Sequence, residues 1–365
     1  MTTAIGITLA LLGPFGAATM PKAETVLVLE PSDDNPRNSE GDFVHLDDGR
    51  ILFVYTHFTG GGADHSEAHL ASRVSSDAGR TWSDQDVVLL PNEGGCNVMS
   101  VSLLRLDSGA IALFYLRKNS NEDCIPYLRT STDEAKTWSD PIRCIPRQGY
   151  FVVNNDRVIQ LHSGRLLIPA SLHGLPGKGF FSRGIAMCFL SDDGGATWRQ
   201  SASTLEAPAG SKSGLQEPGV IQCEDGRLMM LCRTDQGCQM RSWSNDGGDT
   251  WSPAEMTNIR SPVSPASFER IPKTGDWLLV WNNHTGIPKE LEGKRTPFTL
   301  AVSPDEGRTW HHLQDLYDDP DGWYCYTAIT FAKDHVLLGH CAGDPKVGRL
   351  SRSKITRIPV DALYR

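Results

Sequence analysis

One polar phrase, Ser-x-Asp-x-Gly-x-Thr-Trp, is written five times along this chain, and nothing constrains the fold more. It reads "SSDAGRTW" from Ser75 to Trp82, "STDEAKTW" from Ser131 to Trp138, "SDDGGATW" from Ser191 to Trp198, "SNDGGDTW" from Ser244 to Trp251 and "SPDEGRTW" from Ser303 to Trp310. Only the second departs, with Ala135 in place of the glycine. The central aspartates Asp77, Asp133, Asp193, Asp246 and Asp305 lie 56, 60, 53 and 59 residues apart. A fixed period of this length marks stacked copies of one supersecondary unit, and it suits a four-stranded β-meander with its loops.

A second repeat runs in step with the first. Turns at Gly49, Gly109, Gly164, Gly226 and Gly275, and a degenerate one at Asp334, each precede an apolar strand such as "ILFVYT" or "RLMMLCR". Asp-Gly and Ser-Gly between β-prone runs signal tight hairpins, because glycine reaches the positive φ the turn requires. Six hairpins predict an all-β, six-bladed β-propeller of four-stranded antiparallel blades, occupying residues 24–365 as one domain. The polar phrase then falls between the third and fourth strands of a blade, where Ser and Asp cap backbone amides and Trp packs between strands. Residues 24–32, "ETVLVLEPS", are expected to pair with the C-terminal "KITRIPV" and so remove a free sheet edge.

Composition narrows the partners. A formal net charge of −9 without a basic run argues against nucleic acid and anionic membrane surfaces. Nine cysteines show no zinc-site spacing. No metal or other cofactor is expected, and no stretch beyond the N-terminus is apolar enough for membrane insertion. Residues 1–23 read as a signal peptide or an upstream extension. Their apolar run implies a secreted or periplasmic protein, whereas a start at Met20 implies a cytoplasmic one.

In a propeller the first strand of each blade lines the central channel. Nine residues before the hairpin glycines stand Glu40, Ser100, Asn155 and Glu217, a ring of polar positions on one face. At these residues the chain resembles the sialidases and their relatives that carry the same turns, called Asp boxes, from about residue 30 to the C-terminus. Asp boxes also occur in non-catalytic propellers, so the implied activity rests on fewer residues. Asp64 stands in an Asp-His-Ser setting eleven residues before the first box. Glu217 is followed sixteen residues later by Arg233, across one hairpin. Arg295 precedes the fifth box, and Tyr326 opens the last inner strand with Tyr324 as its competitor.

The resemblance implies a retaining exo-α-sialidase-like glycoside hydrolase acting on a sialylated or other acid-sugar glycoconjugate. Tyr326 would be the nucleophile, Glu217 its base, Asp64 the acid/base, and Arg37, Arg233 and Arg295 a clamp for the substrate carboxylate. The chemistry is coherent: a carboxylate nucleophile would be repelled by an anionic sugar, so a phenol attacks once a neighbouring carboxylate takes its proton. His57, Arg117 and Asn155 are further substrate-binding candidates, beside His65, His69, Asn154, Asp156 and His173. The chain departs from the sialidase pattern in following Arg37 with Asn38, Ser39 and then Glu40, where Ile-Pro is usual. It also has no Glu in "GHCAGD". Those departures keep open a glycosidase or lyase for another anionic sugar, of Kdn, Kdo or uronic acid type. A non-catalytic glycan-binding propeller is the further alternative.

Overall fold

A computed structural model describes residues 23–365; the signal-peptide-like run lies outside them. Strand β1 (Glu24–Leu29) leads into a four-stranded antiparallel sheet of β2 (Arg37–His45), β3 (Ile51–Phe58), β4 (Ala68–Ser75) and β5 (Val87–Leu90). Next come β6 (Asn97–Arg105), β7 (Ile111–Ser120), β8 (Asp123–Ser131) and β9 (Ile142–Arg143). They are followed by β10 (Tyr150–Val152), β11 (Ile159–Gln160), β12 (Leu166–Leu175), β13 (Gly179–Ser191) and β14 (Arg199–Gln200). These nine strands join in one sheet through a single parallel bridge, Tyr150 to Cys124, between two antiparallel meanders.

Two further four-stranded antiparallel sheets follow. One holds β15 (Gln216–Gln222), β16 (Leu228–Arg233), β17 (Cys238–Ser244) and β18 (Glu255–Arg260). The other holds β19 (Ser267–Arg270), β20 (Trp277–Trp281), β21 (Phe298–Ser303) and β22 (His311–Tyr317). The last sheet comprises β23 (Trp323–Ala332), β24 (His335–Gly343) and β25 (Ser353–Pro359), with β1 as its outer strand. Leu27 pairs with Ile355 and Leu29 with Ser353, so the two ends of the chain complete one sheet, as the sequence predicts. The described residues form no helix long and apolar enough to cross a membrane.

Apolar side chains fill the spaces between successive sheets. Leu52 and Val54 pack with Leu103 and Leu113, Phe114 with Leu166 and Ile168, Leu167 and Leu190 with Leu228 and Met230, and Leu231 with Leu279. Phe53 and Tyr55 of the first sheet share a cluster with Leu337 and Ile355 of the last. Each fully buried Leu or Phe contributes about 1.5–3 kcal/mol.

The polar phrases lie in turns after the third strand of each unit and share one hydrogen-bond pattern. In the fourth, Ser244 Oγ donates to Asp246 Oδ1 at 2.8 Å and accepts the Gly248 N–H at 2.9 Å. Asp246 accepts from the Thr250 amide and hydroxyl at 2.9 and 2.5 Å. Trp251 Nε1 adds a bond to the Gly248 carbonyl at 2.9 Å, which Trp198 repeats and Trp82 and Trp310 lack. Gly248 has φ 90°, and a Cβ there would strike Leu167. Ala135 takes φ 61° in the second phrase and keeps the same bonds, at a cost of about 1–2 kcal/mol. The last sheet has no such phrase for a topological reason. Its outer strand comes from the opposite chain end, so no turn joins β25 to β1.

Candidate active site

The pocket is built by one repeated backbone irregularity. Glu40, Ser100, Glu217 and Tyr326 all have left-handed φ, at 56°, 58°, 45° and 56°. Each sits where the pairing register slips, between Ser39 and Asp42, Met99 and Ser102, Gln216 and Gly219, and Cys325 and Ala328. A bulge re-aims the side chain it carries, and strained residues of this kind gather at functional sites. All four side chains line one cavity of about 230 Å³, together with Asp64, Lys118, Asn154, His173 and Arg233.

One side of the cavity is lined by a carboxylate, a phenol and one guanidinium, with a second guanidinium, Arg295, buried behind the phenol. Glu217 Oε2 accepts from Arg233 Nη1 at 2.8 Å, and Tyr326 Oη donates to Glu217 Oε1 at 3.3 Å. The guanidinium of Arg295 lies 5.1 Å from the Tyr326 ring centre and 5.4 Å from that of Trp323. Arg295 is 6% exposed, and its Nε and Nη1 have no hydrogen-bond partner among the described residues. Burial pushes the Glu217 carboxyl up, but the charges of Arg233 and Arg295 and the Arg233 hydrogen bond outweigh it, leaving the carboxyl below its ordinary range. Burial, and then the Glu217 charge, push the Tyr326 phenol up, with Arg295 and Arg233 opposing. The phenol therefore keeps its proton at rest beside an ionised acceptor.

Across the cavity, behind the lining residues Glu40 and Asp64, Arg37 is 1% exposed and donates from Nη1 to Asp64 Oδ1 at 2.5 Å and from Nε to Ser39 Oγ at 3.0 Å. Its Nη2 lies 3.4 Å from Glu40 Oε1, and Glu40 Oε2 accepts from Ser100 Oγ at 2.8 Å. Burial raises the Glu40 carboxyl, opposed chiefly by Arg37. The Asp64 carboxyl is lowered, since the Arg37 charge and hydrogen bond overcome the effect of burial. Lys118 Nζ and Asn97 Nδ2 donate to the Asp64 carbonyl at 2.8 and 2.9 Å, fixing the loop 59–67 over the cavity rim.

Three expected substrate-binding residues lie elsewhere. Asn155 is fully buried and donates to the carbonyls of Gly41 at 2.8 Å and Tyr326 at 3.1 Å, tying inner strands together. The left-handed residue of that segment is Asp156, one place later, and its carboxylate accepts the Ile329 N–H. Arg117 points to the face opposite Lys118, over the Tyr127 ring. His57 stacks on His69 at 4.6 Å and lies 3.3 Å from Asp86, away from the cavity. Period-two alternation explains Arg117, which stands between the pocket residues Leu116 and Lys118 and so faces the other way; Asn155 lies outside the strands, and no residue of β3, which carries His57, lines the cavity.

Lys118 was legible from that alternation, counted from Leu116, which also lines the cavity. Phe180 forms an apolar wall stacked 5.5 Å from His173, and its only signal is an exposed aromatic in "GKGFFS". Tyr324 packs among Phe298, Tyr317 and His340, leaving Tyr326 as the tyrosine that reaches the cavity from this strand. Among the described residues, Cys223, Asp225 and Glu306 have ligand atoms close enough to share a metal ion. They share no residue with the cavity, and Arg227 and Arg270 already pair with the two carboxylates.

Residues 99–339 match the model of the BNR repeat-like domain. The chain belongs to the BNR repeat-like family. This BNR-repeat protein is 27% identical over 214 residues to a sialidase of Bacteroides fragilis, covering 54% of the chain and 35% of that protein. It is 25% identical over 306 residues to a sialidase of Micromonospora viridifaciens, covering 72% of the chain and 43% of that protein. The chain thus spans less than half the length of either relative. A mutant of Trypanosoma rangeli sialidase displaying trans-sialidase activity shares its fold, with TM-score 0.73 and 16% identity over 95% of this chain and 60% of that one. Family match, relatives and fold together place the BNR-repeat protein in the sialidase superfamily.

Proposed function

We propose that this protein is an exo-α-sialidase-like retaining glycosidase that releases a terminal sialic acid or related acid sugar from a glycoconjugate. The observation that carries the reading is the contact of Tyr326 Oη with Glu217 at 3.3 Å, with Arg233 on the same carboxylate and Arg295 against the phenol ring. Glu217, held ionised by two guanidiniums, takes the phenol proton as the Tyr326 oxygen bonds to the anomeric carbon. Asp64 gives its proton to the departing glycosidic oxygen; water later opens the Tyr326 glycosyl bond with Asp64 as base, while Glu217 returns its proton to the leaving phenol oxygen. In the resting pocket Asp64 is ion-paired with Arg37. Its acid role therefore calls for the carboxyl to leave that contact and take up a proton.

The supporting framework is a ring of six blades in a single domain, residues 24–365. Apolar clusters between successive sheets, including the one between first and last, favour closure. A second reading, a different anionic sugar in the same pocket, is favoured by the carboxylate of Glu40 beside Arg37. Release of 4-methylumbelliferone from the α-glycosides of N-acetylneuraminic acid, Kdn and Kdo, and from a glucuronide, separates the two readings. Turnover of none of them would refute the glycosidase assignment.

A further inference from the structure

The loop that carries Asp64 has little main-chain bonding of its own. Thr59 and Gly60 donate their N–H groups to the Glu67 carbonyl at 2.8 and 3.1 Å and close its neck, and the Ser66 N–H reaches the Ala63 carbonyl at 2.9 Å within it. Gly60, Gly61 and Gly62 precede Ala63 and Asp64, and glycine gives a chain its widest choice of torsions. Side chains from other strands supply the rest of the hold. Arg37 Nη1 of β2 lies 3.3 Å from the Gly62 carbonyl, Lys118 Nζ of β7 donates to the Asp64 carbonyl at 2.8 Å, and Asn97 Nδ2 of β6 donates to the carbonyls of Asp64 and Ser66 at 2.9 and 2.8 Å.

Asn97 and Lys118 are cross-strand partners in the register of β6 and β7, so both reach the loop from one place on the neighbouring sheet. The lysine is only 2% exposed, and its ammonium has the Asp64 carbonyl and the face of the Tyr150 ring, 5.4 Å from the ring centre, as its contacts. A buried ammonium bonded to a neutral carbonyl recovers only part of the hydration it has lost. Stability alone does not account for a cation there.

We infer that Lys118 and Asn97 are positioning residues that hold the Asp64 main chain still while its carboxyl leaves Arg37 and turns toward the departing glycosidic oxygen. The carboxyl is mostly exposed and turns about its own side-chain bonds, while the carbonyl of the same residue stays anchored by two donors. The acid then meets the oxygen from a fixed direction. This inference rests on the reading of Asp64 as acid, and it assigns both residues to departure of the leaving group and not to attack by Tyr326.

Two α-glycosides of the acid sugar that the wild type cleaves, differing only in the leaving group, test it. The 4-methylumbelliferyl glycoside releases an acidic phenol that departs without a proton, whereas the methyl glycoside releases an alkoxide that needs one. Folding of K118M and N97A is established by thermal melts; K118M decides the matter where it folds, and N97A where it does not. In each, kcat/KM is expected to fall roughly tenfold or more on the methyl glycoside and less than about threefold on the aryl one. Adding K118M to D64N should lower neither rate further, because the lysine acts through Asp64. Equal losses on both glycosides, no loss, or a further fall in D64N/K118M overturns the inference and leaves the glycosidase reading standing. A wild type that cleaves only the aryl glycoside overturns it too, since no acid step is then being positioned. If the wild type cleaves no acid-sugar glycoside, both fall together.

Discussion

Replacing Arg233 with Met removes the partner of a buried carboxylate and keeps much of the side-chain volume. In the native pocket Arg233 Nη1 lies 2.8 Å from Glu217 Oε2, and the Glu217 side chain is 10% exposed. Breaking a buried pair on one side costs about 3–5 kcal/mol. The low end, about 3 kcal/mol, applies here, because Arg295 still acts on Glu217 and Tyr326 still donates to it. Unfolding entropy scales with length to about 0.7 kcal/mol/K for a chain of this size, so Tm should fall by about 4 °C at pH 7.

The pH dependence identifies the cause. Wild-type Glu217 is depressed below its unfolded value, so its contribution is present above the unfolded pKa of about 4.3 and is lost as pH falls through the folded value. Without Arg233 the effect of burial dominates and the folded pKa moves up. The Tm deficit of R233M relative to the wild type should therefore be largest at neutral pH and shrink as both proteins are taken below about pH 5. Calorimetric melts at pH 7 and pH 4.5, with the double variant R233M/E217Q recovering most of the deficit, constitute the assay. A deficit equal at both pH values, or no recovery in the double variant, would show that lost packing and not an orphaned charge is responsible.

Tyr326→Phe should lower kcat on an acid-sugar glycoside at least a hundredfold while Tm stays within about 2 °C, since only one long hydrogen bond is lost; substantial residual turnover would place the nucleophile elsewhere. The Asp64 carboxyl sits below its ordinary range yet must carry a proton to act as acid. Hence kcat/KM should climb as pH falls toward the acidic range, and a pH–rate profile flat from 5 to 8 would remove Asp64 from that role. Ser244→Ala leaves the buried Gly248 N–H without its acceptor, which should cost about 1–2 kcal/mol and lower Tm by about 1–3 °C with activity retained. No change in Tm would mean that the turn holds itself without the serine.

The architecture was legible because its signals are local. A Ser and an Asp that cap amides within four residues, and a glycine at φ near 85°, write their geometry into short words such as "SNDGGDTW" and "EDGR". The bridge from Tyr150 to Cys124, which merges two meanders into one sheet, had no such word, because a single parallel contact depends on where two loops place the chain. In the pocket, Glu40, Ser100 and Glu217 could be counted back from their hairpin glycines because the bulge recurs at a constant offset. The count failed at Asn155, where the inner segment breaks into two short strands and the left-handed residue moves to Asp156. Arg117 faces away by strand phase, which polarity cannot supply when both faces carry polar groups, and His57 stands on a strand none of whose residues lines the cavity. The pairing of Arg37 with Asp64 joins a strand to a glycine-rich loop and has no sequence period to reveal it.

The recurrent bulge also bears on how such a pocket can change. At four separate places the main chain presents one side chain to a common cavity, whichever residue stands there: acid, hydroxyl, acid or phenol. The four positions couple in two pairs, Glu40 with Ser100 and Glu217 with Tyr326, so a socket is refitted together with its partner and not with the strands behind it. New ligand preferences then lie one or two codons apart, and the sheets that carry them need not be rebuilt.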